Sequence, residues 1–383
     1  MTSGLTPEEM ELAQAVRRFA DGELAAGALE RAHSSDYPWD VARKLAEMGM
    51  LGITFPEENG GVGGTLMDAV ITIQELAMVC PKSADVVQAG NFGPIRTFAE
   101  FATPAQKERW MPDLLAGKKL ISLGMSEPDA GSAVTELKTS AREDGNGYII
   151  NGSKVFSTHS PHADLFLIYV RFGPGTNGIG SVLVERGTPG FTIGQPAPFM
   201  SGEEWCPLYF EDCRIPAENL LLGPGGFKKQ ISGFNVERIG NASRALALGR
   251  HAYEVARRHV TERSQFGRPL CEFQGLQWKF ADMVVKLESA QMLLYRAARD
   301  GDANGLPSAF NTAVAKLACN EAGFDVANEA LQAMGAYGYS TESLVEYCVK
   351  RTRGWQIAGG SLEMLKNRIA EHVFERRFSQ RPS

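Results

Sequence analysis

The sequence predicts an α+β protein in which helices, a run of short strands and helices again follow in order. Three changes of pattern carry this expectation. Up to about residue 120, apolar residues recur at helical spacing. From about 121 to 230 the pattern turns to short β-prone runs cut by Gly, Pro and Asn/Asp turns. From about 231 onward, alanine-rich stripes return at helical period. The expected division is an N-terminal helical domain over 1–120, a middle β-barrel-like domain over 121–230 and a C-terminal helical bundle over 231–383.

The elements follow in order. Trp39–Leu51 places Val41, Leu45 and Met48 on one helical face, and Pro56 with Gly60, Gly61, Gly63 and Gly64 interrupts the pattern. A helix from about Leu66 to Cys80 comes next, and Pro81 is expected to end it. Thr103 and Pro104 stand as cap and first-turn residue of another. Tyr148–Ile150 is a short β-prone run after the turn Asp144–Gly145–Asn146–Gly147. Leu165–Val170 is continuously apolar, and Ser181–Glu185 and Phe191–Ile193 follow, each bounded by Gly or Pro. Regular short strands between turns read as a barrel or sandwich, not as βαβ units. In the last third, Leu276, Phe280, Met283, Leu287, Ala290 and Leu294 mark one stripe. Ala313, Leu317, Phe324, Ala327, Leu331 and Met334 mark another, and the alanines allow close helix contact. The end from about Phe378 reads as frayed.

Composition narrows the function. A chain of 383 residues with 44 % hydrophobic and 22 % charged residues can bury a large core or several smaller ones. Its net charge of −6 argues against a broad nucleic-acid footprint. The N-terminal stretch carries Glu9 and Glu11 and no long apolar core, so it does not read as a secretory signal. No apolar run is long enough to span a bilayer, and a cytoplasmic location is expected. The cysteines, Cys80, Cys206, Cys213, Cys271, Cys319 and Cys348, form no CxxC pair and read as free thiols. No GxGxxG follows a strand, and no GxxxxGK[ST] or GxSxG occurs. His159, His162 and Asp164 lack the further spaced ligands of a metal site, so no metal is expected.

Several ordered segments then resemble the acyl-CoA dehydrogenase family. They are Pro56–Gly61 (PEENGG), Gln106–Gly117 (QKERWMPDLLAG), Ser126–Ser132 (SEPDAGS), Tyr148–Thr158 (YIINGSKVFST) and Arg263–Gln274 (RSQFGRPLCEFQ). The resemblance runs over essentially the whole chain. It implies that the C-terminal helices form a four-helix bundle, and it implies non-covalent FAD, an acyl-CoA substrate, an electron-transfer flavoprotein as electron acceptor and a homotetramer in which a neighbouring subunit completes the FAD site.

By the family pattern, Met125 and Ser126 flank the flavin ring, Phe156 stands against it where tryptophan is frequent, and Thr158 bonds near N5 and O4. Arg263 is implied to reach the pyrophosphate of a neighbour's FAD, since a guanidinium suits phosphate. Phe266 belongs to the same loop, and Gln274 matches an adenosine contact. Gln332 and Gly335, in LQAMGAYGY, match the rest of that intersubunit site, although Gly335 also reads as a helix stop.

The catalytic base is where the chain departs from the commonest pattern. Most of the family places a glutamate before a glycine near the C-terminus, and here that position is Gly359. Glu363 is about one turn further on and is a poor substitute. A subgroup that includes isovaleryl-CoA dehydrogenase and carnitine-pathway acyl-CoA enzymes carries its base on the helix after the β-domain, and Glu237 falls on that position. The resemblance then implies that Glu237 removes the α-proton as hydride leaves the β-carbon for flavin N5, giving a trans-2-enoyl-CoA. The Gly359 N–H is expected to polarise the thioester carbonyl. Asn235 and Ser132 are expected along the pantetheine, with Arg238 beneath the base helix and near CoA. Ala133, His159, Lys350 and Arg351 are further departures that could reshape the acyl pocket. A branched, cyclic, aromatic or polar-substituted acyl group is expected. The alternatives are an oxidase or enoyl-CoA reductase on the same scaffold, a dehydrogenase of acyl-carrier-protein thioesters, and a non-catalytic flavin-binding paralogue.

Overall fold

The computed structural model describes residues 4–378, so the expected frayed end at 379–383 lies outside the described residues. In chain order the helices are α1 (Pro7–Glu23), α2 (Ala28–His33), α3 (Trp39–Glu47), α4 (Leu66–Ala77), α5 (Pro81–Asn91), α6 (Pro94–Phe101) and α7 (Pro104–Leu115). The strands β1 (Ile121–Gly124), β2 (Ser140–Asp144), β3 (Gly147–Thr158), β4 (Leu165–Arg171), β5 (Ile179–Glu185), β6 (Phe191–Ile193), β7 (Ala197–Pro198), β8 (Glu204–Pro216) and β9 (Leu220–Leu222) follow. Then come α8 (Phe227–Glu262), the hairpin strands β10 (Ser264–Gln265) and β11 (Arg268–Pro269), and α9 (Gln274–Asn304), α10 (Ala309–Met334), α11 (Ala336–Tyr339), α12 (Leu344–Trp355) and α13 (Leu362–Val373). Among the described residues no helix is long and apolar enough to cross a membrane. The described residues divide into two compact units, one of residues 4–33, 65–88 and 235–378, the other of 34–64 and 89–234.

In the second unit the expected barrel does not form. The strands make one open sheet in the order β6-β8-β3-β2-β4-β5-β9, with β1 beside β4 and β7 beside β8. Closure fails at the ends, because the three-residue strands β6 and β9 pair only inward, with β8 and with β5. Between the halves, β2 meets β4 through the single pair Ser140 and Arg171. The continuous apolar run of β4 is explained by cover on both faces. Leu165, Leu167 and Tyr169 pack with Phe98, Trp110 and Leu114 from α6 and α7. Phe166, Ile168 and Val170 join Ile150, Phe191, Leu208 and Phe210 in a second cluster, where Phe191 stacks on Phe210. Thr103 caps α7 in a reciprocal box with Gln106, and Pro104 takes the first turn as expected.

The first unit is a helix bundle. Thr6 and Thr65 cap α1 and α4 through boxes with Glu9 and Asp68. The α9 stripe buries Met283, Leu287, Ala290 and Leu294. The second helix of the pair, α10, is buried on more than one face, through Ala313, Lys316, Cys319, Asn320, Gly323 and Ala327 among others. Small residues let it lie almost against α8. A Cβ on Gly249 would stand 2.8 Å from Gly323 Cα, and one on Gly323 would stand 2.2 Å from Ala245 O. Two local expectations fail. Met48 is exposed, because α3 stops at Glu47. Pro81 does not end α4, which stops at Ala77, but opens α5, where its missing N–H costs no intrahelical bond.

Candidate functional site

In the second unit, the residues expected at the flavin ring sit on the edge made by the end of β1 and the end of β3. Ser126 O accepts from Val155 N at 2.9 Å, which ties the Met125–Ser126 segment to β3. Lys154, fully buried, reinforces the tie by donating to Met125 O at 3.3 Å and to Glu127 Oε1 at 2.7 Å. Glu127 also accepts from the backbone N–H groups of Lys138 and Thr139 at 2.6 and 2.9 Å. Burial pushes the Lys154 ammonium down to about 8 against the pull of Glu127. For Glu127 burial acts upward, yet Lys154 and the donated hydrogen bonds hold its carboxyl below the ordinary range.

Between Lys154 and Ser157 the pairing of β3 with β8 slips by one residue, and Phe156 in this bulge has a left-handed φ of 57°. Its ring is 58 % exposed and lies 4.6 Å from Trp205 and 6.3 Å from Phe199, centroid to centroid. A non-glycine residue in this conformation at an exposed aromatic edge marks a site where the fold sustains strain. Thr158 is exposed, and its carbonyl accepts from Ser122 Oγ at 2.6 Å. His159 is also left-handed, at φ 62°, a conformation that a non-glycine residue seldom adopts. Its ring meets Tyr37 edge-on at 5.5 Å. Ser132 lies on an exposed loop of this unit. No grouping of three His, Cys, Asp or Glu residues suited to a metal occurs among the described residues.

In the first unit, α8 carries Asn235, Glu237 and Arg238. Glu237 is half-buried, and Gln88 Nε2 donates to its Oε2 at 2.9 Å. Burial raises the carboxyl to about 7, opposed by Arg244, Lys316, the Gln88 hydrogen bond and Arg238. The loop after α12 reaches the same cluster. Gly359 and Gly360 are both left-handed, at φ 70° and 95°, and three donors fix their turn. Arg238 Nε donates to Gly359 O at 3.1 Å, Lys316 Nζ to Gly360 O at 2.9 Å and Trp355 O at 3.2 Å, and Asn320 Nδ2 to Trp355 O at 2.6 Å. The Gly359 N–H donates to no protein acceptor among the described residues. Lys316 is fully buried, and desolvation with Arg238 lowers it to about 7 while Glu237 pulls the other way. Desolvation likewise brings Arg238 to about 10. Asn235 Oδ1 accepts from Arg238 at 3.3 Å, so these two residues support one another. Glu363 lies in the first turn of α13, exposed, with backbone and Ser361 hydrogen bonds lowering its pKa.

Behind Glu237, Asp85 accepts from Arg244 at 2.8 Å and Arg351 at 2.7 Å, and both guanidiniums lie over the Trp355 ring. Thus Arg351 has a carboxylate partner on α5, and Lys350 has Glu346 at 2.5 Å. Gln88, Asp85, Lys316 and Lys154 are absent from the sequence-derived set. A lone lysine inside the apolar run of α10 and another inside a strand were the available signals for the two cations.

Elsewhere on the first unit, Arg263 follows α8, and the hairpin β10–β11 turns through Phe266 and Gly267, both left-handed at φ 52° and 80°. Phe266 is 96 % exposed. Arg263 and Gln274 are exposed, and Arg263 pairs with no carboxylate among the described residues. Gln332 is exposed near the end of α10, and Gly335 is its C-cap at φ 63°. The ring of His259 stacks on Tyr337 at 5.8 Å, which brings the end of α8 beside α11. These exposed donors and the strained aromatic turn suit a ligand that has both phosphate and an aromatic ring.

Family comparison assigns the chain. Residues 6–118 match the acyl-CoA dehydrogenase N-terminal domain, 122–213 the middle domain and 224–374 the C-terminal domain. The chain is 34 % identical to 3-sulfinopropanoyl-CoA desulfinase of Paraburkholderia xenovorans, covering 99 % of each chain. It is 36 % identical to acryloyl-CoA reductase (NADH) of Anaerotignum propionicum, over 98 % of this chain and 97 % of that one. The solved butyryl-CoA dehydrogenase of Megasphaera elsdenii superposes with a TM-score of 0.90 at 32 % identity, over 98 % of this chain and all of that chain. The chain belongs to the acyl-CoA dehydrogenase family and is an FAD-dependent oxidoreductase.

Proposed function

We propose that the protein dehydrogenates an acyl-CoA to the trans-2-enoyl-CoA with Glu237 as the base, as in the subgroup whose glutamate lies on the helix after the β-domain. The observation that supports this most is the contrast between the two available carboxylates. Glu237 has a pKa raised by burial to about 7, while Glu363 is exposed and lowered. A base poised near working pH is both available as carboxylate and able to hold a proton. Gly359 has no acid to offer, but its N–H, with no acceptor among the described residues, is available to a thioester carbonyl. Arg238 and Lys316 fix the carbonyls of the turn that presents it. Asn235 and Ser132 line the pantetheine in this reading.

Bound FAD supplies a two-electron acceptor at its ring. Met125, Ser126, Phe156 and Thr158 contact that ring. Arg263, Phe266, Gln274, Gln332 and Gly335 contact the dinucleotide of a neighbouring copy in a homotetramer. An electron-transfer flavoprotein is the acceptor, and the acyl group is branched, cyclic, aromatic or polar-substituted. The three domains span 1–120, 121–230 and 231–383.

Relatives of similar identity act as desulfinase and reductase, so the reaction itself is tested directly. The holoenzyme is mixed anaerobically with a panel of acyl-CoAs that includes palmitoyl-, 3-sulfinopropanoyl- and acryloyl-CoA. Bleaching by branched or functionalised acyl-CoAs, reoxidised by electron-transfer flavoprotein faster than by oxygen, is the expected result. A clear preference for palmitoyl-CoA overturns the acyl-group assignment. Sulfite release without bleaching overturns the dehydrogenase reading.

A further inference from the structure

Glu237 has one hydrogen-bonding neighbour that differs in kind from the cations around it. Gln88, on α5, is only 5 % exposed and donates through Nε2 to Glu237 Oε2 at 2.9 Å. Its other polar atom, Oε1, is buried and has no partner among the described residues. Buried carbonyl oxygens are rarely left so, because each forfeits a bond it makes in water. The remaining charged groups around Glu237 are Arg238 and Arg244 on its own helix and Lys316 on α10. Arg244 is tied to Asp85, which also holds Arg351. Lys316 is committed to Trp355 O and Gly360 O. All three are donors. A neutral Glu237, which carries an O–H, needs an acceptor instead.

We propose that Gln88 is the positioning residue of the base, donating to the carboxylate before proton transfer and accepting from the carboxylic acid afterwards. The change requires only a half-turn of the terminal amide, a torsion whose two orientations have nearly the same shape. The proton passes from the substrate α-carbon to Glu237, and Gln88 gains and loses none. The inference rests on Glu237 being the base, so its test reads the pair apart from turnover.

The test uses oxidised holoenzyme and infrared difference spectra across about pH 5 to 9, a range that brackets the Glu237 transition. Glu237→Gln identifies the carboxyl band. In wild type, that band rises at low pH together with a downward shift of a glutamine amide carbonyl band. Gln88→Met, close in volume but without donor or acceptor, removes the amide shift and moves the carboxyl band. It also raises the apparent pKa of flavin reduction by about one unit, so rates below the transition fall about tenfold. Gln88→Glu keeps the shape and sets one carboxyl against another, raising that pKa further. Unchanged carboxyl band and pH profile in both variants overturn the proposal. A Gln88-dependent band in an enzyme whose reduction survives Glu237→Gln supports the pair and overturns the base assignment alone.

Discussion

At the scale of residues, Glu237 couples chemistry to stability. Substitution by Gln keeps size and removes the proposed proton acceptor, so the rate of flavin reduction by substrate should fall at least about 100-fold. Binding of a non-reducing substrate analogue should change much less, because the lost interaction belongs to the transition state. Glu363→Gln should change neither. Reduction of the Glu237→Gln flavin at the wild-type rate sinks the mechanism. A second expectation concerns pH. In the fold Glu237 titrates at about 7, against 4.5 for an ordinary glutamate, so the native state binds its proton more tightly than the unfolded chain. Its stabilising contribution is therefore complete below about 4.5 and lost as pH rises through about 7. Glu237→Gln should then melt at a higher temperature than wild type above about pH 7 and show no such gain below about 4.5. Thermal scans at the two pH values read this, and equal melting at both ends contradicts the raised pKa. Such a trade, activity against stability at one buried carboxyl, is common where a base must stay poised.

At the scale of elements, α8 and α10 cross with their backbones close together. Gly323→Ala drives a methyl to 2.2 Å from Ala245 O, which is backbone and cannot rotate away. A loss of about 1–3 kcal/mol or more in denaturant unfolding is expected. Gly354→Ala, in α12 with nothing within 4 Å, is the control and should be neutral or gain about 0.5–1 kcal/mol from helix propensity. Equal effects of the two would show that the helices can part without cost. The same elements show what sequence pattern can and cannot carry. Runs such as Phe191–Ile193 and the Thr103–Pro104 start were legible because turn residues and caps are local chemistry. The 13-residue β8 was not, since its alternation of buried residues changes phase at Glu211–Asp212 and Pro207 breaks the β-prone run. Pro81 was misread because a proline that stops one helix also suits the first turn of the next. The open sheet was out of reach altogether, because closure depends on which edges meet, and that is not written in strand spacing. At the candidate site, residues with a motif, such as Arg263 and Thr158, could be named from sequence. Gln88 lies 149 positions from Glu237, and no local pattern joins them.

At the scale of the whole molecule, the role proposed for the exposed set around Arg263 ties cofactor retention to assembly. Arg263 is exposed without a carboxylate partner among the described residues, beside a turn whose Phe266 is 96 % exposed and left-handed. An aromatic ring held so far into solvent, in a conformation that costs on the order of 1–3 kcal/mol, implies a partner surface that repays the strain. In the proposed homotetramer that surface is a neighbour carrying FAD. Arg263→Ala removes a guanidinium suited to two phosphate oxygens, so the expected results are lower FAD occupancy after gel filtration and weaker rebinding to the apoprotein. A ligand that binds only the native state raises thermal stability with its concentration. Added FAD should therefore raise the melting temperature of wild type clearly and that of Arg263→Ala less, at matched protein concentration. Sedimentation then separates the causes. If the contact spans subunits, the variant should dissociate more readily as FAD is removed, and saturating FAD should restore the larger species. If Arg263 served only the fold of its own chain, the apoprotein itself would melt lower and added FAD would stabilise both proteins by the same increment. Full FAD occupancy and unaltered rebinding in Arg263→Ala would remove the phosphate contact from the assignment, and with it the main reason to place a neighbour's cofactor at this end of the bundle.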